Sequence, residues 1–336
     1  MAWWKPKRAD VGPGSAASAT HSVRVTHRTS VSDRAILLRL ENSDPGRGLP
    51  SFGAGAHVDL HIERGAVRQY SLVGDPADSG AYLVCVQRED QGRGGSISVH
   101  DRLMPGALVS VSGPRNTFAL RSHSSRVLLL GGGIGVTPLV SMAEQLHRDG
   151  VPFDFHVYAR DRRSLPLADH LEQRPWAARV HAHYSDRGDS FRSSGPSALS
   201  EPVGGGAVYV CGPDAFVELA LSRALDGGWA ADQLHIERFR APDESREGAA
   251  FEVVIASTGE RVPVGENESL ADALEGRGFE TYRSCGQGFC GSCVVGVRGG
   301  IPDHRDDYQS DAQHRSNAII NVCVSRSRTP VLELDL

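Results

Sequence analysis

The 336-residue sequence has a net charge of −5, with 40% hydrophobic and 23% charged residues. These values are typical of a globular protein with two or three domains, and they argue against nucleic acid as the main partner. No apolar run reaches the length of a membrane span, and the N-terminus lacks the apolar segment of a secretion signal. We therefore expect a cytoplasmic protein whose thiols stay reduced.

The first third of the chain predicts a small antiparallel β-barrel. Residues 1–20 are rich in Gly, Ser, Ala and Pro, which predicts a disordered tail. Residues 21–121 then carry six short alternating runs separated by turn residues, with one helical segment near Ser96–Met104. The six predicted strands are Val23–Val25, Ala35–Leu40, His57–Ile62, Val67–Val73, Tyr82–Gln87 and Ala107–Val111.

The pattern changes at Ser125, and residues 122–241 predict an α/β domain. Continuous apolar runs, typical of strands buried on both faces, alternate here with helical segments. The predicted strands are Arg126–Leu130, Phe153–Tyr158, Val180–Tyr184 and Ala207–Cys211, and the predicted helices include Pro138–Arg148 and Pro213–Leu225. A polar, breaker-rich stretch follows and predicts a linker at 242–250.

Residues 251–336 predict a third compact domain with a short helix near Ser269–Glu275. This segment holds 13 acidic and 8 basic residues, so it carries the whole charge imbalance of the chain. That excess fits either docking to a basic partner or an ordinary solvated surface. The predicted strands are Phe251–Ser257, Arg261–Val264, Val294–Val297, Ile319–Val324 and Val331–Leu334.

Four cysteines in this last segment predict a [2Fe–2S] cluster. Cys285, Cys290, Cys293 and Cys323 have the spacing C-x4-C-x2-C-x29-C of plant-type clusters. Glycines 286, 288 and 291 would let the backbone curl around the cluster through positive φ angles. A zinc site normally uses two short-spaced Cys pairs, and a disulfide framework is foreign to a reduced compartment.

A glycine-rich turn predicts a nucleotide site. Gly131-Gly-Gly-Ile-Gly-Val-Thr-Pro138 follows a buried strand and opens a helix, with Thr137 as the expected N-cap and Pro138 at the first helical position. The helix N-terminus would attract a pyrophosphate, although a strict G-x-G-x-x-G is absent and the turn could serve packing alone. Cys211-Gly-Pro ends another buried strand at the same sheet edge, so Cys211 is either a site residue or a buried small side chain.

Two segments of the barrel predict a flavin site. Arg68-Gln-Tyr70-Ser71 offers a guanidinium for phosphate and an aromatic face. Gly92-Arg-Gly-Gly-Ser96 opens a helical segment whose backbone N–H groups would bind an anion. Each motif alone is weak evidence for a flavin site. Because both precede the predicted nucleotide turn in the chain, together they strengthen that prediction.

Taken in order, these motifs resemble the phthalate dioxygenase reductase family, relatives of ferredoxin–NADP reductase with a fused C-terminal ferredoxin. The resemblance covers the chain from about residue 21. It also rests on Pro114-Arg-Asn-Thr-Phe118, His235-Ile-Glu-Arg-Phe239 and Asn321-Val-Cys-Val-Ser-Arg326. The family often has an acidic and a small residue where this chain has Gln287-Gly-Phe289.

The resemblance implies an FMN-binding β-barrel, a Rossmann-like NAD-binding α/β domain and a β-grasp [2Fe–2S] ferredoxin. The cluster ligands would be the four cysteines, and Cys211 and Phe239 would lie at the nicotinamide and the flavin ring. FMN is favoured over FAD because no aromatic shelf for an adenylate is evident. The implied cofactor-binding residues are Arg68, Tyr70, Ser71, Gly94, Gly95 and Ser96 for FMN, and Gly133, Gly135 and Thr137 for the NADH pyrophosphate.

The implied activity is hydride transfer from NADH to FMN, followed by single-electron transfer through the cluster to a terminal oxygenase. The expected acceptor is a Rieske-type oxygenase or demethylase, with a cytochrome P450 as the alternative and a non-catalytic redox sensor or a zinc-bearing binding module as other classes. Around Ala159–Arg163 the arginines suit a 2′-phosphate whereas Asp161 suits a ribose hydroxyl, and the resemblance favours NADH. We expect no acid–base catalyst, a surface strand at His181 and His183, and a monomer.

Overall fold

The computed structural model describes residues 20–62, 67–78, 80–91, 94–122, 125–193, 195–239, 247–283, 286–288 and 291–336. The predicted tail, apart from Thr20, and residues 242–246 of the predicted linker lie outside the described residues. Contacts divide the chain into two compact units, of which one comprises Ala19–Phe239 and the other includes Arg240–Leu336. None of the helices in the described ranges is long and apolar enough to cross a membrane.

The first unit begins with a six-stranded antiparallel sheet in the order β4-β3-β6-β1-β2-β5. Its two edges meet through the bridge between Leu72 and Val84, so the sheet closes into the predicted barrel. Alternate strand residues point inward and form an apolar core. The elements are β1 (Thr20–Ser30), β2 (Ala35–Asn42), β3 (His57–His61), β4 (Val67–Ser71), β5 (Tyr82–Gln87), α1 (Gly95–Arg102) and β6 (Leu108–Ser112).

A five-stranded parallel sheet follows, in the order β11-β10-β7-β8-β9. Its first strand is buried along its whole length, as its continuous apolar sequence predicts. The chain order of the strands reverses between β7 and β10, and ligands bind at such a switch point in open α/β sheets. The elements are β7 (Val127–Gly132), α2 (Val136–Arg148), β8 (Phe153–Ala159), α3 (Ala168–Glu172), β9 (Val180–Tyr184), β10 (Ala207–Cys211), α4 (Asp214–Asp226) and β11 (Leu234–Glu237).

The barrel and the parallel sheet share one hydrophobic core. Val73 and Cys85 of the barrel pack in the same cluster as Val127 and Phe155 of the parallel sheet. The backbone N–H of Gly55 also donates a 3.0 Å hydrogen bond to Ser141 Oγ in α2. Burial of this shared apolar surface explains why both sheets form a single compact unit.

The second unit contains a five-stranded mixed sheet in the order β13-β12-β18-β14-β16, with a two-stranded ribbon of β15 and β17. Ser269 caps α5 by accepting a hydrogen bond from the Asp272 N–H, and Ser310 caps α6 through Gln313 in the same way. The elements are β12 (Phe251–Ile255), β13 (Arg261–Val264), α5 (Leu270–Glu275), β14 (Val294–Gly299), β15 (Pro302–Asp303), α6 (Asp311–Ser316), β16 (Ile319–Asn321), β17 (Arg326–Ser327) and β18 (Val331–Asp335).

Arg326 holds the start of this unit. Its guanidinium donates hydrogen bonds to the carbonyls of Glu268 at 2.7 Å, Gly265 at 2.8 Å and Ala249 at 3.1 Å. The described end of the predicted linker, 247–250, is therefore attached to the sheet through a side chain that follows Cys323 by three residues.

Candidate functional site

Arg68 and the N-terminus of α1 come together in the barrel. Arg68 lies on β4, and its side chain packs so closely on Gly95 that a Cβ at that position would be 2.5 Å from Arg68 Nε. Gly94 precedes the helix with φ 77°, and no side chain caps this end. A guanidinium beside uncapped helical N–H groups fits the phosphate of a flavin nucleotide.

The other predicted flavin residues lie on the same elements. Tyr70 is partly buried against the barrel core, and burial raises the pKa of its hydroxyl, so this group stays protonated. Ser71 is buried at the end of β4. Ser96 Oγ accepts a 2.9 Å hydrogen bond from the Glu89 N–H, so this hydroxyl also joins the preceding loop to α1.

The glycine-rich turn of the nucleotide site is a 3-10 turn, Gly133–Gly135, that runs directly into α2. A Cβ on Gly135 would lie 2.2 Å from the carbonyl oxygen of Cys211, so only glycine allows this approach of the turn to β10. The turn therefore brings the N-terminus of α2 to the switch point of the sheet.

The prediction that Thr137 caps α2 is wrong. The helix begins at Val136 with Gly135 as the N-cap, because the 3-10 turn already sets the helical direction one residue earlier. Thr137 is the second helical residue, and its hydroxyl donates to the Ile134 carbonyl at 2.9 Å. Pro138 is third rather than first, which the first turn tolerates because its nitrogen needs no helical partner.

A cavity of about 500 Å³ opens at the carboxyl edge of the parallel sheet. Gly132 and Gly133 of the turn line it together with Tyr158, the penultimate residue of β8. Tyr158 is only 6% exposed, and its hydroxyl has no hydrogen-bond partner among the described residues. A buried polar group at a concave site fits a polar ligand such as a dinucleotide.

Cys211 and Phe239 both pack in the core that joins the two sheets. Cys211 is fully buried at the end of β10, and burial together with the charge of Glu237 raises the pKa of its thiol well above the usual value. The thiol is therefore neutral and acts as an apolar surface rather than as a nucleophile. Phe239 is partly buried against the same cluster.

Two of the four predicted cluster ligands lie in the described residues. Cys293 and Cys323 are buried, and their Sγ atoms are 3.0 Å apart, wider than the disulfide bond of about 2.0 Å. Cys285 and Cys290 lie outside the described residues. Converging buried sulfurs from a loop and a distant strand end fit the donor set of an iron–sulfur cluster.

The cysteine loop has the predicted backbone. Gly286, Gly288 and Gly291 have φ angles of 62°, 78° and 72°, which confirms the expected positive φ values. At Gly291 a Cβ would lie 2.1 Å from the ring of Tyr308. The described part of the loop is thus folded tightly against its own unit, with the Cys293 side chain buried.

A network of buried polar side chains supports this loop. Asp306 is 1% exposed and accepts hydrogen bonds from the Gln309 N–H at 2.8 Å and from His314 Nε2 at 3.3 Å. Gln309 Nε2 donates to Asn321 Oδ1 at 2.8 Å, and Asn321 Nδ2 lies 4.0 Å from Cys293 Sγ. Nearby charges and hydrogen bonds, the largest from His314, hold the pKa of Asp306 below its usual value against the effect of burial.

Sequence reasoning missed this network and most of the cavity lining. The network joins residues that are spread over 306–321 and show no periodic pattern, so only their coordinates bring them together. His181 and His183 lie on the edge strand β9 as expected, where His183 stacks on Tyr158 at 4.4 Å. Arg160, from the segment singled out at the ribose, also lines the cavity. The missed residues that line it are Ser185, Ser190, Phe191, Arg192, Ala215, Phe216 and Leu219.

Two protein-family models match the chain. The oxidoreductase FAD-binding domain matches residues 22–120, and the 2Fe-2S iron-sulfur cluster binding domain matches residues 253–328. These ranges coincide with the barrel that holds Arg68 and with the unit that holds the cysteines. They establish flavin binding and a [2Fe–2S] cluster as the cofactors of this fold.

The chain also resembles individual proteins along most of its length. The chain is 32% identical over 311 residues to the vanillate O-demethylase oxidoreductase of Acinetobacter baylyi, covering 92% of this chain and 96% of the relative. The structure resembles an intact type IV self-sufficient cytochrome P450 monooxygenase at 34% identity and a TM-score of 0.79. That match covers 94% of this chain, which spans only 41% of the P450 protein.

The solved structure of phthalate dioxygenase reductase matches this chain along nearly the whole length of both proteins. Its TM-score is 0.74 at 32% identity, and the match covers 94% of this chain and 98% of the other. It confirms the predicted fold class of a flavin barrel, a Rossmann-like domain and a β-grasp ferredoxin. The chain is therefore an oxidoreductase that belongs to the phthalate dioxygenase reductase family, the electron-transfer components of oxygenases.

Proposed function

We propose that this protein takes a hydride from NADH onto FMN and delivers single electrons through a [2Fe–2S] cluster to a terminal oxygenase. The main observation behind the proposal is that one chain contains three separate sites, each suited to one of the three cofactors. They are the Arg68–α1 phosphate cradle, the cavity beside the Gly133–Gly135 turn, and the buried sulfurs of Cys293 and Cys323.

In this proposal the flavin and the cluster, when bound, convert a two-electron donor into single electrons. Arg68 and the N–H groups after Gly94 hold the flavin phosphate, with Ser96 at the same helix end. Tyr70 and Ser71 on β4 position the ring. Charge-assisted hydrogen bonds from a guanidinium favour the phosphate of FMN over uncharged riboflavin.

At the nucleotide site the chain supplies position rather than acid–base chemistry. Gly133 and Gly135 allow the pyrophosphate to reach the N-terminus of α2, and Thr137 lies in the first turn of that helix. The neutral Cys211 thiol and the Phe239 ring provide apolar contacts for the nicotinamide and the flavin ring. Hydride transfer needs no proton donor, so the proposal assigns no acid–base catalyst.

The proposed acceptor is a Rieske-type oxygenase or demethylase. The relative from Acinetobacter baylyi is named for vanillate O-demethylation and matches along its full length. A cytochrome P450 is the second candidate, because the self-sufficient P450 monooxygenase matches this chain with a TM-score of 0.79. The acidic residues of 251–336 favour a basic docking surface on the partner.

An anaerobic titration with NADH tests the proposal. We expect bleaching of the flavin absorbance together with the EPR signal of a reduced [2Fe–2S] cluster. Flavin reduction without that signal would exclude electron transfer to the cluster, and absence of bound flavin would overturn the reductase assignment. Chromatography of the released flavin decides between FMN and FAD. Cytochrome P450 and Rieske-type acceptors are then compared by their rates of reduction.

A further inference from the structure

A triad of side chains of the kinds that bind metals, His304, Asp306 and His314, lies in the second unit. One nitrogen or oxygen atom from each residue lies within 4.8 Å of the other two. Asp306 Oδ1 is 3.3 Å from His314 Nε2 and 3.9 Å from His304 Nδ1, and the two imidazole rings stack with centroids 4.5 Å apart. The side chains of His304, Asp306 and His314 are only 7%, 0% and 15% exposed. Two imidazoles and a carboxylate form a donor set that suits transition metals.

The buried Nδ1 atom of His304 shows that this triad lacks a partner at its centre. His304 Nε2 lies 3.2 Å from Asn317 Oδ1, which is an acceptor, so Nε2 carries the ring proton. Nδ1 is then a bare acceptor that faces the Asp306 carboxylate, with no hydrogen-bond partner among the described residues. Burial, followed by the charge of His314, lowers the pKa of His304, so a proton does not fill the gap near pH 7. Two buried acceptors that face each other are stabilised by a cation between them.

The hydrogen bonds around the triad are those that hold metal ligands. A metal-bound imidazole usually donates its other N–H to an oxygen, which fixes the ring, and Asn317 Oδ1 takes that role for His304. Asp306 Oδ2 accepts a 2.8 Å hydrogen bond from the Gln309 N–H. Asp306 Oδ1 has longer contacts of 3.3 Å to Gln309 Nε2 and 3.4 Å to Ser325 Oγ. The carboxylate is therefore fixed through Oδ2, while Oδ1 faces both rings.

The donor set favours an ion such as Zn²⁺ over Mg²⁺ or Ca²⁺. Zn²⁺ binds imidazole nitrogen and carboxylate oxygen at about 2.0–2.2 Å, and three protein ligands with a water are a common arrangement. Mg²⁺ and Ca²⁺ instead prefer oxygen ligands throughout. His314 is the most exposed member of the triad, so a water in the fourth position would lie on its side.

We propose that the triad binds one divalent transition-metal ion of the Zn²⁺ type and that this ion fastens the segment 304–306 to α6. Binding moves the proton of His314 from Nε2 to Nδ1 and changes no oxidation state. The adjoining Asp307 N–H donates a 3.1 Å hydrogen bond to the Gly288 carbonyl, so the fastened segment contacts the cysteine loop. The site is distinct from the four cysteines, and the inference does not depend on the proposed electron path.

The test is a calorimetric titration of the full-length holoprotein with Zn²⁺ after treatment with EDTA, while the absorbance of the [2Fe–2S] cluster is followed in parallel. We expect the unchanged protein to bind one more Zn²⁺ than His304→Leu or His314→Ala, and excess Mg²⁺ should not compete. Zn²⁺ should also raise the unfolding temperature of the unchanged protein but not of the two variants, because the ion binds the folded state. His314 is partly exposed, so His314→Ala still tests the inference if His304→Leu does not fold.

Asn317→Gly tests whether the position of His304 matters. Asn317 has φ 52°, which glycine adopts without strain, so this substitution removes the Oδ1 acceptor and keeps the backbone. We expect the affinity for Zn²⁺ to fall about tenfold. His181→Ala is the matched control, because His181 stacks on His156 at 4.6 Å much as His314 stacks on His304, but lies outside the triad. This control should keep the affinity of the unchanged protein.

Equal stoichiometry and affinity for Zn²⁺ in the unchanged protein, His304→Leu and His314→Ala would overturn the inference. Loss of the cluster absorbance in step with Zn²⁺ uptake would place the ion at the cysteines, and loss of binding only in His181→Ala would place it on β9. Either result would also overturn the inference, without bearing on the flavin or nucleotide sites.

Discussion

Gln309 donates a 2.8 Å hydrogen bond to Asn321, and this bond fixes which end of the Asn321 amide faces the cluster ligands. Because the Asn321 oxygen accepts from Gln309, its amino group is directed toward Cys293 Sγ at 4.0 Å. Hydrogen bonds to ligand sulfurs stabilise the reduced, more negative state of a cluster. Asn321 is therefore in position to raise the reduction potential.

We expect Asn321→Leu to lower the midpoint potential of the cluster by on the order of 20–40 mV, the equivalent of a weak hydrogen bond in a one-electron couple. The potential is measured by EPR-monitored redox titration. Asn42→Ala, in the barrel, is the control and should leave the potential unchanged. Equal potentials in all three proteins would show that the Asn321 amide does not act on the cluster.

Gly291→Ala should prevent stable cluster loading. The added methyl group would meet the Tyr308 ring at 2.1 Å in a backbone with φ 72°. Gly259→Ala is a close control, because Gly259 has the same φ but nothing within 4 Å of its Cβ. We expect Gly259→Ala to cost only backbone strain of about 1 kcal/mol. Iron content and thermal unfolding distinguish the two variants, and full iron loading of Gly291→Ala would contradict the prediction.

Arg68→Ala should weaken FMN binding about tenfold or more, because it removes a charge-assisted hydrogen bond to the phosphate. Riboflavin lacks the phosphate, so its affinity should change little. Flavin fluorescence quenching measures both dissociation constants. Arg39→Ala, which removes an arginine paired with Glu41 on β2, is the control. If FMN and riboflavin lost affinity equally, Arg68 would contact the flavin ring rather than the phosphate.

Because His57 is buried, we expect the protein to lose stability in mild acid. It is 5% exposed, and burial, followed by the charge of Arg115, lowers its pKa to about 4. The unfolded state therefore takes up a proton near pH 6.5 while the folded state stays neutral. Stability is complete well above pH 6.5 and falls as the pH is lowered toward 4, by about 3 kcal/mol.

His57→Gln should remove this part of the pH dependence. Denaturant unfolding at pH 7 and pH 5 gives the two free energies for each protein. His27→Gln, at an exposed position of β1, should leave the pH dependence as it is. If His57→Gln and the unchanged protein lose equal stability between pH 7 and pH 5, His57 does not cause the loss of stability in acid.

The sequence predicted most strands and the main helices because their patterns are local. The run Arg126–Leu130 became the buried strand β7, and the segment Pro213–Leu225 became α4 with only small shifts at its ends. The cap of α2 was missed because the 3-10 turn at Gly133–Gly135 lets the helix start before Thr137.

The candidate sites were predictable only where a short motif contains them. Arg68, Gly95 and the glycine-rich turn lie within such motifs, and the structure brings Arg68 and Gly95 together. Arg192 was not predicted because it approaches the cavity from a loop 32 positions beyond Arg160, and tertiary folding alone unites the two. The predicted roles of Cys211, Phe239 and Ser96 stay predictions.

The hydrogen bonds of Arg326 link loading of the cluster to protection of the backbone at residues 248–249. Arg326 follows the fourth predicted ligand by three residues and holds the backbone of residues 248–249, where the chain enters the unit. Displacement of the Cys323 segment would therefore also release that entry point. A protein that fails to acquire its cluster is therefore expected to open this stretch of backbone to proteases.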